Sequence, residues 1–146
     1  MTLSIMIPTI GRPCLSKVLE ELKGQLELGD EVLVIGDGPV NADSVVRNFG
    51  PQFQYFQHGP DHFWGHPQRN YAMPLSKGTH LMSFDDDDAI YGDALQKVRA
   101  AIFQYPDSPL MFRMNHGPGV TWQAKEVADG NVSTQMFVTP NVRGKL

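Results

Sequence analysis

The chain has 146 residues, 41% of them hydrophobic, and a formal net charge of −4. That length fits one domain, 1–146, which can bury roughly 68–70% of its unfolded surface without a covalent staple. The acidic balance argues against a general nucleic-acid-binding face, and the single cysteine, Cys14, excludes an internal disulfide and a cysteine-rich zinc site.

In chain order, Leu3 to Pro8 is an apolar run that predicts a buried strand. Pro13 opens a helix whose Leu15, Val18, Leu19, Leu22 and Leu26 form one stripe, ended by Gly29-Asp30. Glu31 to Ile35 is a second strand, and Gly36-Asp37-Gly38-Pro39 is its turn. Strand, helix and strand within ~35 residues predict a parallel crossover. Asn41 to Phe49 reads as a helix. Gln52 to Gln57 alternates, with Phe53 and Tyr55 on one face, and reads as a third strand.

His66 to Lys77 has a helical pattern with Pro74 inside it, where a proline kinks or breaks a helix, and Gly78 at its end. His80 to Phe84 is a strand that runs into Asp85-Asp86-Asp87-Asp88. Ala94 to Tyr105 is a helix with Leu95, Val98, Ile102 and Phe103 as its stripe and Asp93 as its N-cap. Leu110 to Asn115, Val120 to Lys125 and Gln135 to Thr139, separated by Gly117-Pro118-Gly119 and Asp129-Gly130, read as an antiparallel meander. The fold class is therefore α/β, with a mixed, mainly parallel sheet and a C-terminal antiparallel meander. No stretch approaches the ~20 apolar residues of a membrane span. Met1 to Ile10 lacks the parts of a signal peptide, so a cytoplasmic location is expected and the glycosylation match at Asn131-Val132-Ser133 carries little weight.

Ligands of open α/β sheets bind beyond the carboxyl ends of the strands. Pro8-Thr9 with Arg12, Asp37, and the aspartate run all fall at such ends. Four adjacent carboxylates repel one another, and a divalent cation is the usual remedy. Mg2+ or Mn2+ takes one or two protein carboxylates and completes its shell with phosphate and water. On an extended segment Asp85 and Asp87 would share one face, with Asp86 and Asp88 on the other. The alternative is a solvated acidic turn in which Asp88 helps to cap the next helix. A calcium EF-hand is excluded, because the glycine required at loop position six would be Ile90. Asp37 offers a carboxylate to a base N–H or a ribose hydroxyl, against the alternative of an ordinary turn residue. Arg69 either contacts phosphate, pairs with an aspartate, or is an exposed helix arginine.

In their order and spacing these pieces resemble the family 2 glycosyltransferases, which have the GT-A fold, a Rossmann-like three-layer domain that binds nucleotide-diphospho-sugars. Leu3-Ser4-Ile5-Met6-Ile7-Pro8-Thr9 resembles the family's opening strand. Val32-Leu33-Val34-Ile35-Gly36-Asp37-Gly38-Pro39 resembles its second strand, which usually ends Asp-Asp-Gly-Ser. Arg69-Asn70, Lys77-Gly78 and the strand into Asp85-Asp86-Asp87-Asp88 resemble its central stretch.

The resemblance implies a donor-binding half at 1–95 and a helix with a short, incomplete acceptor side at 96–146. It implies a metal-dependent transferase that takes a nucleotide-diphosphate sugar and passes the sugar to an acceptor hydroxyl. Pro8 and Thr9 would lie under the nucleoside, with Arg12, Arg69 and Asp86 also on the donor side. Asp37 would hydrogen-bond the base and Asp85 would approach the ribose. Asp87, with Asp85, would be the metal-binding part of the DXD motif for Mn2+ or Mg2+. The chain departs from the family where Ile10-Gly11 replaces an aromatic and asparagine, and no residue matches the family's downstream catalytic carboxylate. Asp129 and His116 lie in the right third of the chain for that role. The alternative function is a non-catalytic nucleotide-sugar or metal-binding module, with a partner or a second copy completing the acceptor site. A nucleotidyltransferase on a related sheet ranks last, because the glycine-rich loop with a following arginine and lysine is missing.

Overall fold

The computed structural model describes residues 1–115, 126–128 and 132–142. Six strands form one sheet: β1 (Leu3–Thr9), β2 (Glu31–Asp37), β3 (Phe53–His58), β4 (His80–Ser83), β5 (Leu110–Met111) and β6 (Phe137–Pro140). Their order is β3-β2-β1-β4-β6-β5. β1 pairs in parallel with both β2 and β4, and β2 with β3. β6 is antiparallel to β4 and to β5.

The strands are built as their composition requires. Every residue of β1 and β2 is buried, as expected for central parallel strands covered on both faces. Alternation divides them between two cores. Leu3, Ile5, Ile7, Val32 and Val34 face a large cluster that takes in α1 (Leu15–Lys23), α2 (Asp43–Arg47) and α4 (Ala94–Gln104). Met6, Leu33 and Ile35 face a smaller one that includes Ala72 of α3 (His66–Ala72). The result is a three-layer domain. α3 lies on the opposite face from the other helices because it carries the chain from β3 across to β4, on the far side of β1.

Among the described residues the predicted strands and helices are present, with local corrections. Pro74 ends α3 at Ala72, and a short 3-10 turn, Met73–Leu75, takes up the rest of the expected helix. α1 starts at Leu15, two residues after Pro13, and α2 is confined to Asp43–Arg47. Phe103 is 84% exposed, so the buried stripe of α4 is Leu95, Val98 and Ile102. Asp93 occupies the N-cap of α4 without a capping bond, and its carboxylate pairs with Lys97 at 2.8 Å.

The antiparallel addition is present, and among the described residues its strands do not follow chain order across the sheet as a meander's would. The last strand lies between β4 and β5, and β5 is two residues long where a longer strand was expected. Val120 to Lys125 and the turns at Gly117-Pro118-Gly119 and Asp129-Gly130 lie outside the described residues.

Two buried polar networks fix the amino ends of the central strands. The Asp30 carboxylate accepts from the Leu3 N–H at 2.8 Å and the Glu27 N–H at 2.7 Å, and it pairs with Arg99. Glu31 accepts from Ser4 Oγ at 2.7 Å, and Ser4 Oγ accepts from the Gly78 N–H at 2.8 Å. Gly78 therefore does more than end a segment. A Cβ there would come within 2.6 Å of the Ser4 nitrogen, so only glycine lets β1 approach so closely. Removing the Asp30 carboxylate leaves two N–H groups without their partner and a mostly buried Arg99 guanidinium with Glu27 alone, at 3.1 Å. Asp30→Ala is expected to destabilise the fold by about 3–5 kcal/mol, read as a lower urea midpoint with an unchanged slope.

Candidate functional site

The strand order reverses direction at β1. The chain runs outward through β2 and β3, then returns to β4 on the other side. The crevice at the carboxyl ends of β1 and β4 is thus the topological switch point, where open α/β sheets bind ligands. Thr9 closes β1 there, and Asp85 lies two residues beyond β4.

The aspartates do not continue the strand. Asp86 and Asp87 form a turn, closed by the Asp88 N–H donating to the Asp85 carbonyl at 3.3 Å. The Asp88 carboxylate in turn accepts from the Asp85 N–H at 2.7 Å. This replaces the expected two-faced extended run, and it uses Asp88 to close its own turn rather than to cap α4.

Each of the other three carboxylates has a different environment. Asp86 is buried, accepting from Thr9 Oγ1 at 2.6 Å and from Arg12 at 3.2 Å. Asp87 is exposed and pairs with the same Arg12 nitrogen. Asp85 is half-buried between Arg69 and the side-chain amide of Gln135.

Arg69 is not an exposed helix residue. It is 4% exposed, and it donates through Nε to Ser83 Oγ at 2.7 Å and through Nη1 to the Trp64 carbonyl at 2.8 Å. Its remaining nitrogen meets Asp85, so the geometry favours pairing over phosphate contact. Burial lowers the Arg69 pKa, and Asp85 opposes that shift. Burial also pushes the Asp85 carboxyl above its ordinary range, against the pull of Arg69 and with the help of Asp87 and Asp86. Asp88 is raised to about 6, again chiefly by burial. The two arginines therefore do not fully compensate this turn.

Asp37, at the end of β2, is also buried. One carboxylate oxygen accepts from the Asp61 N–H at 2.7 Å and Gln68 Nε2 at 3.0 Å, and the other from the His62 N–H at 2.9 Å. Asp37 thus anchors the loop between β3 and α3. Gly36 stands where the resembled motif has its first aspartate, and the space of a side chain there is filled by the Tyr55 hydroxyl, which donates to the Val40 carbonyl.

Pro8, Thr9, Ile10, Arg12, Asp37, Asp85 and Asp86 line one cleft of about 120 Å³, joined by Trp64 and Gly65. Asp87 and Arg69 flank it through their ion pairs. A second cleft, about 430 Å³ and largely apolar, lies beyond the same turn, lined among others by Asp88, Phe84, Ile90, Tyr91 and Phe112. Among the described residues, no three His, Cys, Asp or Glu side chains are gathered as a metal cage.

Sequence reasoning missed Gln68, Ser83, Gln135 and Trp64. Trp64 alone carried a signal, as a large aromatic in a loop flanked by Gly59 and Gly65. Gln135 reaches Asp85 from the far end of the chain, which no local pattern announces. His116 and Asp129, the residues considered for a catalytic role, lie outside the described residues.

The glycosyl transferase family 2 model matches residues 4–141. The chain belongs to this family. No curated protein matches its sequence. Among solved structures, TarS 1-349 of S. aureus superposes with a TM-score of 0.78 at 20% identity, covering 97% of this chain and 48% of that one. The same fragment in complex with UDP-GlcNAc gives 0.73 at 21% identity, covering 97% and 46%. The mannosyltransferase PcManGT from Pyrobaculum calidifontis, in complex with GDP-Man and Mn2+, gives 0.62 at 16% identity, covering 78% and 35%. The fold of this family 2 domain is GT-A-like, and the chain spans about half the length of the TarS fragment.

The Arg69–Asp85 pair can be tested as a unit. Arg69→Met leaves the half-buried Asp85 carboxylate with Gln135 but no cation, and leaves the Ser83 hydroxyl with only its bond to the Met6 carbonyl, and is expected to cost about 3 kcal/mol. Adding Asp85→Asn should recover part of that loss. A double-mutant cycle from urea unfolding that shows simple additivity would contradict the pairing.

Proposed function

We propose that this family 2 domain binds a nucleotide-diphosphate sugar in the cleft at the switch point, as the donor for transfer to an acceptor hydroxyl. One observation carries the reading: Asp37, Thr9, Arg12 and the aspartate turn, from three separate strand ends, line or flank a single cleft. Proteins of the same fold in complex with UDP-GlcNAc, and with GDP-Man and Mn2+, support that ligand class.

A divalent cation suits the chemistry of the turn. Its ligands are hard carboxylate oxygens, one of them exposed, and burial and mutual repulsion hold carboxyl groups here above their ordinary pKa range. Asp87, with Asp85, would hold Mn2+ or Mg2+, and phosphate oxygens and water would fill the remaining positions. Such a metal supplies Lewis-acid stabilisation of charge on a departing diphosphate.

The chain's own residues divide the remaining tasks. Asp37 reads the nucleoside while bracing the loop above it. Pro8 and Thr9 form the floor, and Thr9 also fixes Asp86. Arg69 acts through Asp85 rather than on phosphate. Arg12 holds Asp86 and Asp87 in place. The apolar cleft past Asp88 is the acceptor side.

A second reading is donor binding without efficient unaided transfer. It is favoured by the residues of 1–146 themselves, none of which matches the family's downstream catalytic carboxylate. A partner or second copy would then complete the acceptor wall and supply a base, worth about 10²–10⁴-fold in rate. Slow release of sugar to water, with no product from a broad acceptor panel, would mark this case.

Calorimetry with UDP or GDP tests the donor reading. Binding by the wild-type chain is expected to strengthen with Mn2+, and Asp87→Ala should remove most of that gain. Metal-independent binding undiminished in the mutant would refute the assignment. Asp37→Ala should weaken the nucleoside diphosphate and its sugar conjugates by a similar factor, roughly tenfold to a hundredfold. Weakening of the conjugates alone would move Asp37 to the sugar.

A further inference from the structure

We propose that Trp64 is the stacking surface for the nucleobase, a role that rests on the donor-binding reading above. The cleft needs one. A base buried only by hydrogen bonds to its edge leaves its flat faces in water, and an aromatic ring is the usual cover. β1 is followed by Ile10-Gly11 and offers no ring. Among the described residues lining the cleft, Trp64 is the aromatic one.

The indole is 85% exposed, a large apolar surface left in solvent at the mouth of a polar cleft. An isolated exposed aromatic is ordinary, but this one is held in place by unusual means. Trp64 has φ of +54° and His62 has φ of +49°, in the left-handed region that bulky residues seldom adopt. The surrounding contacts enforce that conformation. The Trp64 carbonyl accepts from Arg69 Nη1 at 2.8 Å. The next residue, Gly65, lies so close to Pro8 that a Cβ would come within 2.5 Å of the proline Cγ. Upstream, the Asp61 and His62 N–H groups are bound by the Asp37 carboxylate.

The loop is thus fastened at one end to Asp37, the residue placed to read the base, and at the other to Pro8, the floor of the cleft. Trp64 sits between the two fastenings. Strain kept up by several independent contacts is characteristic of a binding position. What it achieves here is a fixed backbone that carries the ring at the mouth of the cleft that Asp37 also lines, so that less freedom is lost when a base stacks on it.

The test uses UDP, UDP-GlcNAc and inorganic pyrophosphate with Mn2+ on the whole chain. Trp64→Ala should weaken UDP and UDP-GlcNAc alike, by roughly five- to a hundredfold, and leave pyrophosphate binding unchanged. Trp64→Phe, which keeps a ring, should retain most of the affinity. Trp64 and Trp122 are the only tryptophans, so quenching of indole fluorescence by UDP in the wild type should disappear in Trp64→Phe. Unchanged UDP affinity in Trp64→Ala would overturn the stacking role while leaving the donor reading intact. A loss confined to UDP-GlcNAc would overturn it too, by placing the ring on the sugar. A wild-type chain that binds neither UDP nor GDP would defeat the donor reading itself, and the stacking role with it. Thermal melts of both variants matching the wild type exclude misfolding, as substitution of an exposed side chain predicts.

Discussion

Four consecutive carboxylates at the end of a buried strand are an electrostatic problem before they are a site. Like charges within a few ångströms raise one another's pKa, and burial adds to the effect. The fold answers with two arginines from different elements. Arg69, from α3, is buried under Asp85, and Arg12, from the loop after β1, bridges Asp86 and Asp87. Backbone N–H groups and Thr9 take up part of the remaining demand. The compensation is incomplete where Asp85 and Asp88 stay above their ordinary range. The turn is thus left short of positive charge and open to solvent through Asp87, which is why the proposed ligand is one that brings a cation with its phosphates.

This division of labour separates residues that line the cleft from those that hold the lining residues in place. Arg69 is the clearest case. One side chain links the end of β4 through Ser83, the aspartate turn through Asp85, and the β3–α3 loop through the Trp64 carbonyl. Asp37 does similar service from β2, with Gln68 and two loop amides as partners. The β3–α3 loop is thereby tied to both the aspartate turn and the end of β2, on two sides of one cleft.

The architecture was largely legible in the sequence, because it depends on local periodicity. β1 and β2 are continuous apolar runs, α1 carries a clean stripe, and Pro74 announces the end of α3. The positions of Asp37 and the aspartate run followed from the rule that sheet ligands lie at strand carboxyl ends. What was not legible depends on contacts between distant segments. The extended reading of Asp85 to Asp88 failed because a bond from Asp88 back to the Asp85 N–H makes a turn, and nothing in four identical residues distinguishes the two. Phe103 fits a helical stripe by spacing, yet it falls where no element covers it. Arg69 reads as a surface residue until Ser83 and Asp85 are placed beside it. The insertion of β6 between β4 and β5 concerns sheet order, on which strand propensity is silent.

That insertion bears on how the domain comes into being during synthesis. A ribosome releases β1 to β5 before the residues of β6, and until Phe137–Pro140 emerges the edge of β4 has no partner on that side. The nascent domain therefore passes through a stage with an open strand edge, the kind of surface that invites pairing with another chain. Gln135, immediately ahead of β6, arrives at the same moment and completes the contacts of Asp85. The strand that covers the edge of β4 and the side chain that completes the contacts of Asp85 thus belong to one short segment near the end of the described residues.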